Sequence, residues 1–217
     1  MGKIKEYYNK IYTENEVAFG GGKVENIVKD ILKYKQEGSV LEIGAGEGRN
    51  SLFLATEGFD VEAMDVSDRG IAKLQESADT KGLKIKTHVA DITLFTPERS
   101  YDVIVSTFVA HHQSRGEALA IIQLIKDQTN PNGLNVIAVF TKDGDFYRNN
   151  PETDRFYPDL GELSRLYSDW EVLEYSEEEG KALQKKVDGS PMLNIVARIL
   201  ARKPTPAPNY GERRVSS

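Results

Sequence analysis

A strand-like run in this chain, Val40-Leu41-Glu42-Ile43, passes through Gly44-Ala45-Gly46-Glu47-Gly48 into Arg49-Asn50 and a helical pattern. Glycines at a strand-to-helix turn let the backbone approach a ligand closely at the helix N-terminus. The spacing is G-x-G-x-G, whereas a dinucleotide-binding turn of the G-x-G-x-x-G type needs a third glycine where this chain has Arg49. Glu42 stands two positions before the first glycine. A carboxylate there repels a pyrophosphate and attracts an ammonium group. The pattern selects a cofactor with a positive charge and no phosphate beside the turn, which describes the amino-acid end of S-adenosylmethionine and argues against a nicotinamide oxidoreductase.

Two further acids fall where that cofactor needs them. Asp65 closes the second strand-like run about 20 residues beyond the glycines, where a carboxylate accepts both ribose hydroxyls. Asp91 follows the third run, where its side chain can accept from the adenine amino group while the Ile92 N–H meets a ring nitrogen. Ser106 and Thr107 end the fourth run and face the methionine portion. His111 and His112 follow, near where the sulfonium methyl should point, and a neutral imidazole there can take a proton from a nucleophile. The alternative is that one histidine caps a helix start and the other is solvated. His88 precedes a strand end and reads as structural. A lone G-x-G-x-G can be only a tight turn, but ordered acids on successive strand ends are harder to explain one by one. The four cofactor positions lie at the carboxyl ends of strands, the edge where open α/β sheets bind ligands.

The elements that must position these residues follow from periodicity. Ser39 to Ile43, Asp60 to Asp65, Lys84 to Val89, Tyr101 to Thr107 and Leu134 to Phe140 read as strands, and Arg49 to Glu57, Asp68 to Lys81 and Gly116 to Gln128 as the helices between them. This is the rhythm of a parallel sheet covered by helices. Val24 to Lys35 is helical, after an aromatic stretch with Tyr7, Tyr8, Tyr12 and Phe19. Trp170 to Tyr175 and Leu193 to Ala201 read as a closing antiparallel pair, with Asp188-Gly189 as a turn signal. The expected division is 1–36 as an N-terminal helical and aromatic cap, 37–203 as the catalytic domain and 204–217 as a flexible Pro-rich tail.

Several stretches resemble class I S-adenosylmethionine-dependent methyltransferases, and among them the tellurite-resistance TehB-like group. They are Glu42 to Leu54 (EIGAGEGRNSLFL), Gly58 to Asp65 (GFDVEAMD), Tyr101 to Thr107 (YDVIVST), Gly133 to Val136 (GLNV), Gly161 to Leu163 with Trp170 to Tyr175, and Leu200 to Lys203 (LARK). Ala18-Phe19-Gly20 resembles an entry segment of relatives, and the likeness runs from Tyr8 to Lys203. It implies an α/β fold: a Rossmann-like seven-stranded sheet with helices on both faces and the last strand antiparallel. It also implies S-adenosylmethionine as cofactor and S-adenosylhomocysteine as product. The expected cofactor residues are Glu42, Gly44, Ala45, Gly46, Arg49, Asn50, Asp65, Val66, Asp91, Ile92, Ser106 and Thr107, with Tyr12 and Phe19 closing that side.

The substrate half departs from the family. Members carry a His-Arg pair and a later Arg before the last strand. Aligning through Gly180 and the LARK ending puts Leu183-Gln184 under the pair and Pro191 under the later Arg. The remaining candidates are His111 and His112 as catalytic residues and the loop Lys142 to Tyr157 as a substrate cover, with Phe146, Tyr147 and Arg148 touching the substrate. Gly20-Gly21-Gly22 reads as a hinge, and Glu177-Glu178-Glu179 as a solvated face.

Composition sets the outer limits. The 217 residues hold 28 Lys plus Arg against 34 Asp plus Glu, a net charge of −6, and no cysteine. The acidic balance disfavours a protein built to grip nucleic-acid phosphates, as does the lack of an asparagine-proline-proline-tyrosine motif after the fourth strand. Without cysteine there is no disulfide, thiolate metal site or thiol nucleophile, and any sulfur chemistry belongs to cofactor or substrate. No metal is expected. No secretory signal and no apolar run of ~18 residues occur, so a cytoplasmic protein without membrane or nucleic-acid partners is expected, as monomer or homodimer. The function expected is methyl transfer to a small molecule, such as a thiol, chalcogen oxyanion or similar soft nucleophile. A non-catalytic S-adenosylmethionine-binding regulatory protein is the alternative.

Overall fold

The computed structural model describes residues 2–19, 22–149, 154–185 and 189–206. Gly20 and Gly21 of the expected hinge, Asp188 of the expected turn and the tail beyond Pro206 lie outside them. The strands are β1 (Ser39–Ile43), β2 (Asp60–Asp65), β3 (Ile85–Val89), β4 (Tyr101–Thr107), β5 (Thr129–Phe140), β6 (Glu171–Lys185) and β7 (Pro191–Arg202). They form one seven-stranded sheet in the order β3-β2-β1-β4-β5-β7-β6. β1 pairs in parallel with β2 and β4, β2 with β3, and β4 with β5, while β7 runs antiparallel between β5 and β6.

The helices are α1 (Gly2–Glu14), α2 (Asn26–Lys29), α3 (Arg49–Thr56), α4 (Asp68–Thr80), α5 (Arg115–Asp127), α6 (Asp145–Asn149) and α7 (Glu162–Leu166). Strand alternation sorts their partners. Val40, Val61, Val103, Val105 and Val136 pack on one face against Ile27 and Val28 of α2 and Leu54 of α3. Leu41, Ile43 and Ile104 point the other way, onto Ile121 and Ile125 of α5. Both starts of the long helices are capped. Ser67 accepts from Gly70 N at α4, and Ser114 with Glu117 forms a reciprocal capping box at α5.

Four of the expected elements differ from the sequence reading. The helix expected over Val24 to Lys35 is one α-helical turn continued as a 3-10 turn, Asp30–Lys33. β5 starts at Thr129 rather than Leu134, because Tyr101 pairs with Thr129 and Val103 with Leu134, so the Asn-Pro-Asn-Gly stretch between them is accommodated at a register shift. β6 and β7 are longer than expected. β5 pairs with β7 only as far as Phe140 opposite Val196, yet β7 continues back to Pro191 with β6 as its sole neighbour. Phe140 is the carboxyl end of β5, so this two-stranded arm stands beyond the ligand edge of the sheet. The helix against this arm is the short α6, which bonds to it through Asp145 and Phe146, and so short a cover does not require apolar alternation along the strands, which is why Ser176 to Lys185 gave no strand signal. Positions 183, 184 and 191 lie on it. Within the acidic run, Glu178 and Glu179 are exposed, but Glu177 is half-buried and accepts from Gly161 N (2.7 Å) and the Tyr175 hydroxyl.

Candidate functional site

A cavity of about 1090 Å³ opens at the carboxyl ends of β1, β2 and β4. A single small-molecule site usually occupies ~300–1,000 Å³, so this space suits a cofactor together with a small second ligand.

Its floor is the β1–α3 turn. Gly44 and Gly46 have φ of 72° and 57°, in the left-handed region. A Cβ at Gly44 would strike Val109, and one at Gly46 the Tyr12 hydroxyl, so both packing and backbone require glycine. Glu42 is buried on the α3 face of β1 and accepts from Asn50 Nδ2 (2.8 Å) and the Ser51 hydroxyl. Asn50 also reaches Thr107 Oγ1 at 3.2 Å, tying the ends of β1 and β4 together. Burial pushes the Glu42 carboxyl up to about 7, against the pull of these hydrogen bonds. Asp65 accepts from Gly46 N and Ser67 N, each at 2.8 Å, and so fixes the glycine turn against β2. Burial raises its carboxyl as well. Asp91 accepts from Thr93 N and Oγ1 in a local turn.

The roof is α1. Tyr8 and Tyr12 are four residues apart and share the face that looks down on the site. Asn9 anchors the helix, accepting from Ser67 Oγ (2.6 Å) and donating to Asp68 Oδ1 (2.6 Å) at the start of α4. Tyr8 Oη is hydrogen-bonded to His112 Nε2 at 2.6 Å, and Phe19 closes on both tyrosines. Ala18 N and Phe19 N donate to Glu47 Oε1, which carries the roof's trailing segment back to the glycine turn. Tyr8→Phe removes the one hydroxyl joining α1 to His112, so amide exchange across 2–14 should rise about five-fold, as for one lost hydrogen bond. Unchanged exchange would show that Asn9 and Lys5 hold the helix alone.

The far wall begins at Phe108, a bulky residue held at φ 61° immediately after β4. Such a conformation in a non-glycine residue costs about 1–3 kcal/mol and persists only where its surroundings fix it. Here Phe108 N donates to Ala138 O at 2.7 Å, and the turn it makes sets Val109 on Gly44 and the two histidines against the cavity. Neither histidine is solvated. Burial, then the neighbouring His112 and Arg155, holds His111 well below the ordinary imidazole value. Burial, then Arg155, lowers His112 to about 4. Both rings are neutral at physiological pH and are weak bases. Phe140, Phe146, Tyr157 and Met192 complete this end.

Of the expected site residues, Tyr12, Phe19, Glu42, Gly44, Ala45, Arg49, Asn50, Asp65, Val66, Asp91, Ile92, Thr107, His111, His112 and Phe146 line the cavity. Four do not. Ser106 alternates with Thr107 and faces α5, Gly46 is covered by Tyr12, and α6 turns Tyr147 and Arg148 away while presenting Phe146 and Asn149. Tyr147 instead packs on Tyr157 at 5.4 Å, and Arg148 is exposed. Arg49 lines the cavity but is engaged, 2.9 Å from Glu25. His88 pairs with the buried Glu62 at 2.7 Å, away from the cavity. Tyr8, Asn9 and Glu25 were not singled out as site residues by sequence; the i, i+4 spacing of Tyr8 and Tyr12 is the signal that could have put both on one helical face. Among the described residues no group of three or more His, Asp or Glu side chains is placed to hold a metal, and no helix is long and apolar enough to cross a membrane.

The family model described as "Tellurite resistance protein TehB" matches residues 2–197. A Haemophilus influenzae protein described as "Probable S-adenosyl-L-methionine-dependent methyltransferase TehB" is 34% identical over 201 residues, 93% of this chain and 67% of the relative. The crystal structure of TehB from Haemophilus influenzae superposes with a TM-score of 0.75 at 33% identity, covering 92% of this chain and 66% of that one. The N-methyltransferase NodS from Bradyrhizobium japonicum, solved with S-adenosylhomocysteine, shares the fold at a TM-score of 0.67 and 16% identity, covering 92% of this chain and 98% of that one. The chain spans about two thirds of the length of the TehB relatives it matches.

Proposed function

Because the chain belongs to the TehB family, we propose that it transfers a methyl group from S-adenosylmethionine to a small molecule presenting a soft nucleophile. The observation that carries this reading is the pair of buried carboxylates, Glu42 and Asp65, set either side of a glycine turn in one cavity. A cofactor with an ammonium and a ribose diol fits that floor, and a pyrophosphate would meet two negative charges.

Bound there, S-adenosylmethionine supplies an activated methyl group on a sulfonium. The chain's residues then have three tasks. Glu42, held by Asn50 and Ser51, faces the ammonium end; Asp65 accepts the ribose hydroxyls; Asp91 and Ile92 meet the adenine. Tyr8, Tyr12 and Phe19 exclude water from above, and Phe108, Phe140 and Phe146 do so on the acceptor side. Burial makes His111 and His112 weak bases, which favours a nucleophile that arrives ionised or is soft enough to react with little help from a base. The main contribution is therefore alignment and desolvation.

The test is calorimetric titration with S-adenosylhomocysteine, followed by product release with thiols, halides, selenite, tellurite and small carboxylates as acceptors. Tight cofactor binding with turnover on at least one soft acceptor is expected. Failure to bind the cofactor would overturn the reading, and binding without turnover on any acceptor would favour a regulatory cofactor-binding protein. Unit boundaries at 1–36 and 37–203 belong to the same proposal, with the first segment serving as roof.

A further inference from the structure

The acceptor end of the cavity carries a charge that the cofactor does not use. Arg155 is half-buried and lines the cavity. Its backbone is fixed: it forms an antiparallel bridge with Ser114, flanked by Phe156 N donating to Gln113 O and Arg115 N to Asp154 O, each at 2.9 Å. These bonds hold it against the turn that bears His111 and His112. The field of the guanidinium reaches both imidazoles and the Tyr8 phenol, in each case favouring the form with less positive charge.

A second observation points to a ligand. His111 is buried and lines the cavity, yet its Nδ1 has no hydrogen-bond partner among the described residues. Buried polar atoms without a partner are rare, and at a cavity wall such an atom is placed to meet what enters the cavity, water or a ligand group. The surroundings are Phe140, Phe146 and Tyr157, so a charge entering there loses water and gains most from an opposite charge nearby. A guanidinium suits an oxyanion because its donors form a planar fork matching two oxygens. The titratable groups facing this end are Tyr8 from α1, His111 and His112 from the turn after β4, and Arg155 with Tyr157 from the segment after α6.

We infer that Arg155 and His111 form an oxyanion-binding subsite for the methyl acceptor, the guanidinium pairing with a carboxylate or chalcogen oxyanion and His111 Nδ1 hydrogen-bonding to the same group. The word acceptor rests on the methyl-transfer reading; the oxyanion subsite itself does not.

The subsite is tested on the full chain loaded with S-adenosylhomocysteine, by calorimetry with mercaptoacetate, inorganic selenite and neutral 2-mercaptoethanol. Mercaptoacetate or selenite should bind wild type and lose about ten- to hundred-fold in affinity in Arg155→Gln, as for a charge-assisted pair, with partial recovery in Arg155→Lys. Which of the two binds tells a carboxylate-bearing acceptor from a chalcogen oxyanion. Affinity for 2-mercaptoethanol and for S-adenosylhomocysteine should not change, which separates the effect from misfolding. The bound probe should also shift the His111 ring resonances in wild type and not in Arg155→Gln. The inference is overturned if neither oxyanion binds wild type, or if Arg155→Gln binds them as tightly. Loss of S-adenosylhomocysteine binding by wild type would instead overturn the methyl-transfer reading, and the same oxyanion titrations on the free protein then still decide Arg155.

Discussion

Asp65→Ala should bind S-adenosylhomocysteine at least about a hundred-fold more weakly than wild type, since two charge-assisted hydrogen bonds of ~1.5–3 kcal/mol each are lost. The same change strikes the cradle. Asp65 accepts from Gly46 N and Ser67 N, and alanine leaves both donors without their partner. At ~1–3 kcal/mol for each unsatisfied buried donor, stability should fall by ~2–5 kcal/mol. Asp65→Asn distinguishes the two losses, because its amide oxygen keeps one backbone bond while the negative charge is gone. Titration calorimetry and thermal melting of the pair give the answer. An alanine variant that keeps cofactor affinity within a few-fold would sink the ribose assignment.

Glu42→Gln should act in opposite directions on stability and on binding. The Glu42 carboxyl titrates near 4.5 when unfolded and at about 7 in the folded protein. Its folded value is raised, so the native state holds a proton that the unfolded chain releases, and stability falls as pH rises through that window. At 1.36 kcal/mol per unit, the ionised carboxylate costs ~3 kcal/mol above pH 7. Glutamine fills the same volume, accepts from Asn50 and donates to Ser51, and carries no charge. The variant should be more stable than wild type at pH 8 by up to that amount and no more stable at pH 4. Cofactor affinity should fall, since the ammonium loses its counter-charge. In wild type the cofactor favours the ionised carboxylate, so affinity should increase as pH rises through 7, with proton release seen in buffers of different ionisation enthalpy. A flat pH dependence, or a variant destabilised at pH 8, would contradict this account.

The cofactor side was legible because its determinants are local. Glu42, the glycines, Asp65 and Asp91 each sit within a few residues of a strand end, and a strand end fixes direction. Where the reading failed, the reason was geometric. Ser106 and Thr107 are equally suited chemically, but the pleat sends only Thr107 to the cavity. Phe146, Tyr147 and Arg148 were grouped as a loop, yet they lie in α6, where successive side chains point about 100° apart and only Phe146 of the three reaches the cavity. Tyr8 and His112 are 104 residues apart and meet only because α1 crosses the sheet edge. Arg155 stood in a segment already suspected, but its position beside His111 depends on the bridge to Ser114, which no periodicity announces.

The two-stranded arm of β6 and β7 stands apart from the part of the sheet that holds the glycine turn. Residues that hold the glycine turn are buried in the sheet and its helices, where most replacements cost stability. Among the described residues the arm's outer stretch pairs strand to strand only with itself, and it meets the rest of the protein through Thr141 N to Ile195 O and through α6, by way of Phe146 N to Asn194 Oδ1 and Leu193 N to Asp145 Oδ2. Apart from the buried Asn194, whose amide oxygen holds α6, the outer stretch lies away from the core clusters, and its Met192 borders the far end of the cavity. Leu183, Gln184 and Pro191 all fall on this arm. Hybrid proteins that exchange this arm between relatives should therefore alter what borders the far end of the cavity while leaving the glycine turn and its buried carboxylates in place.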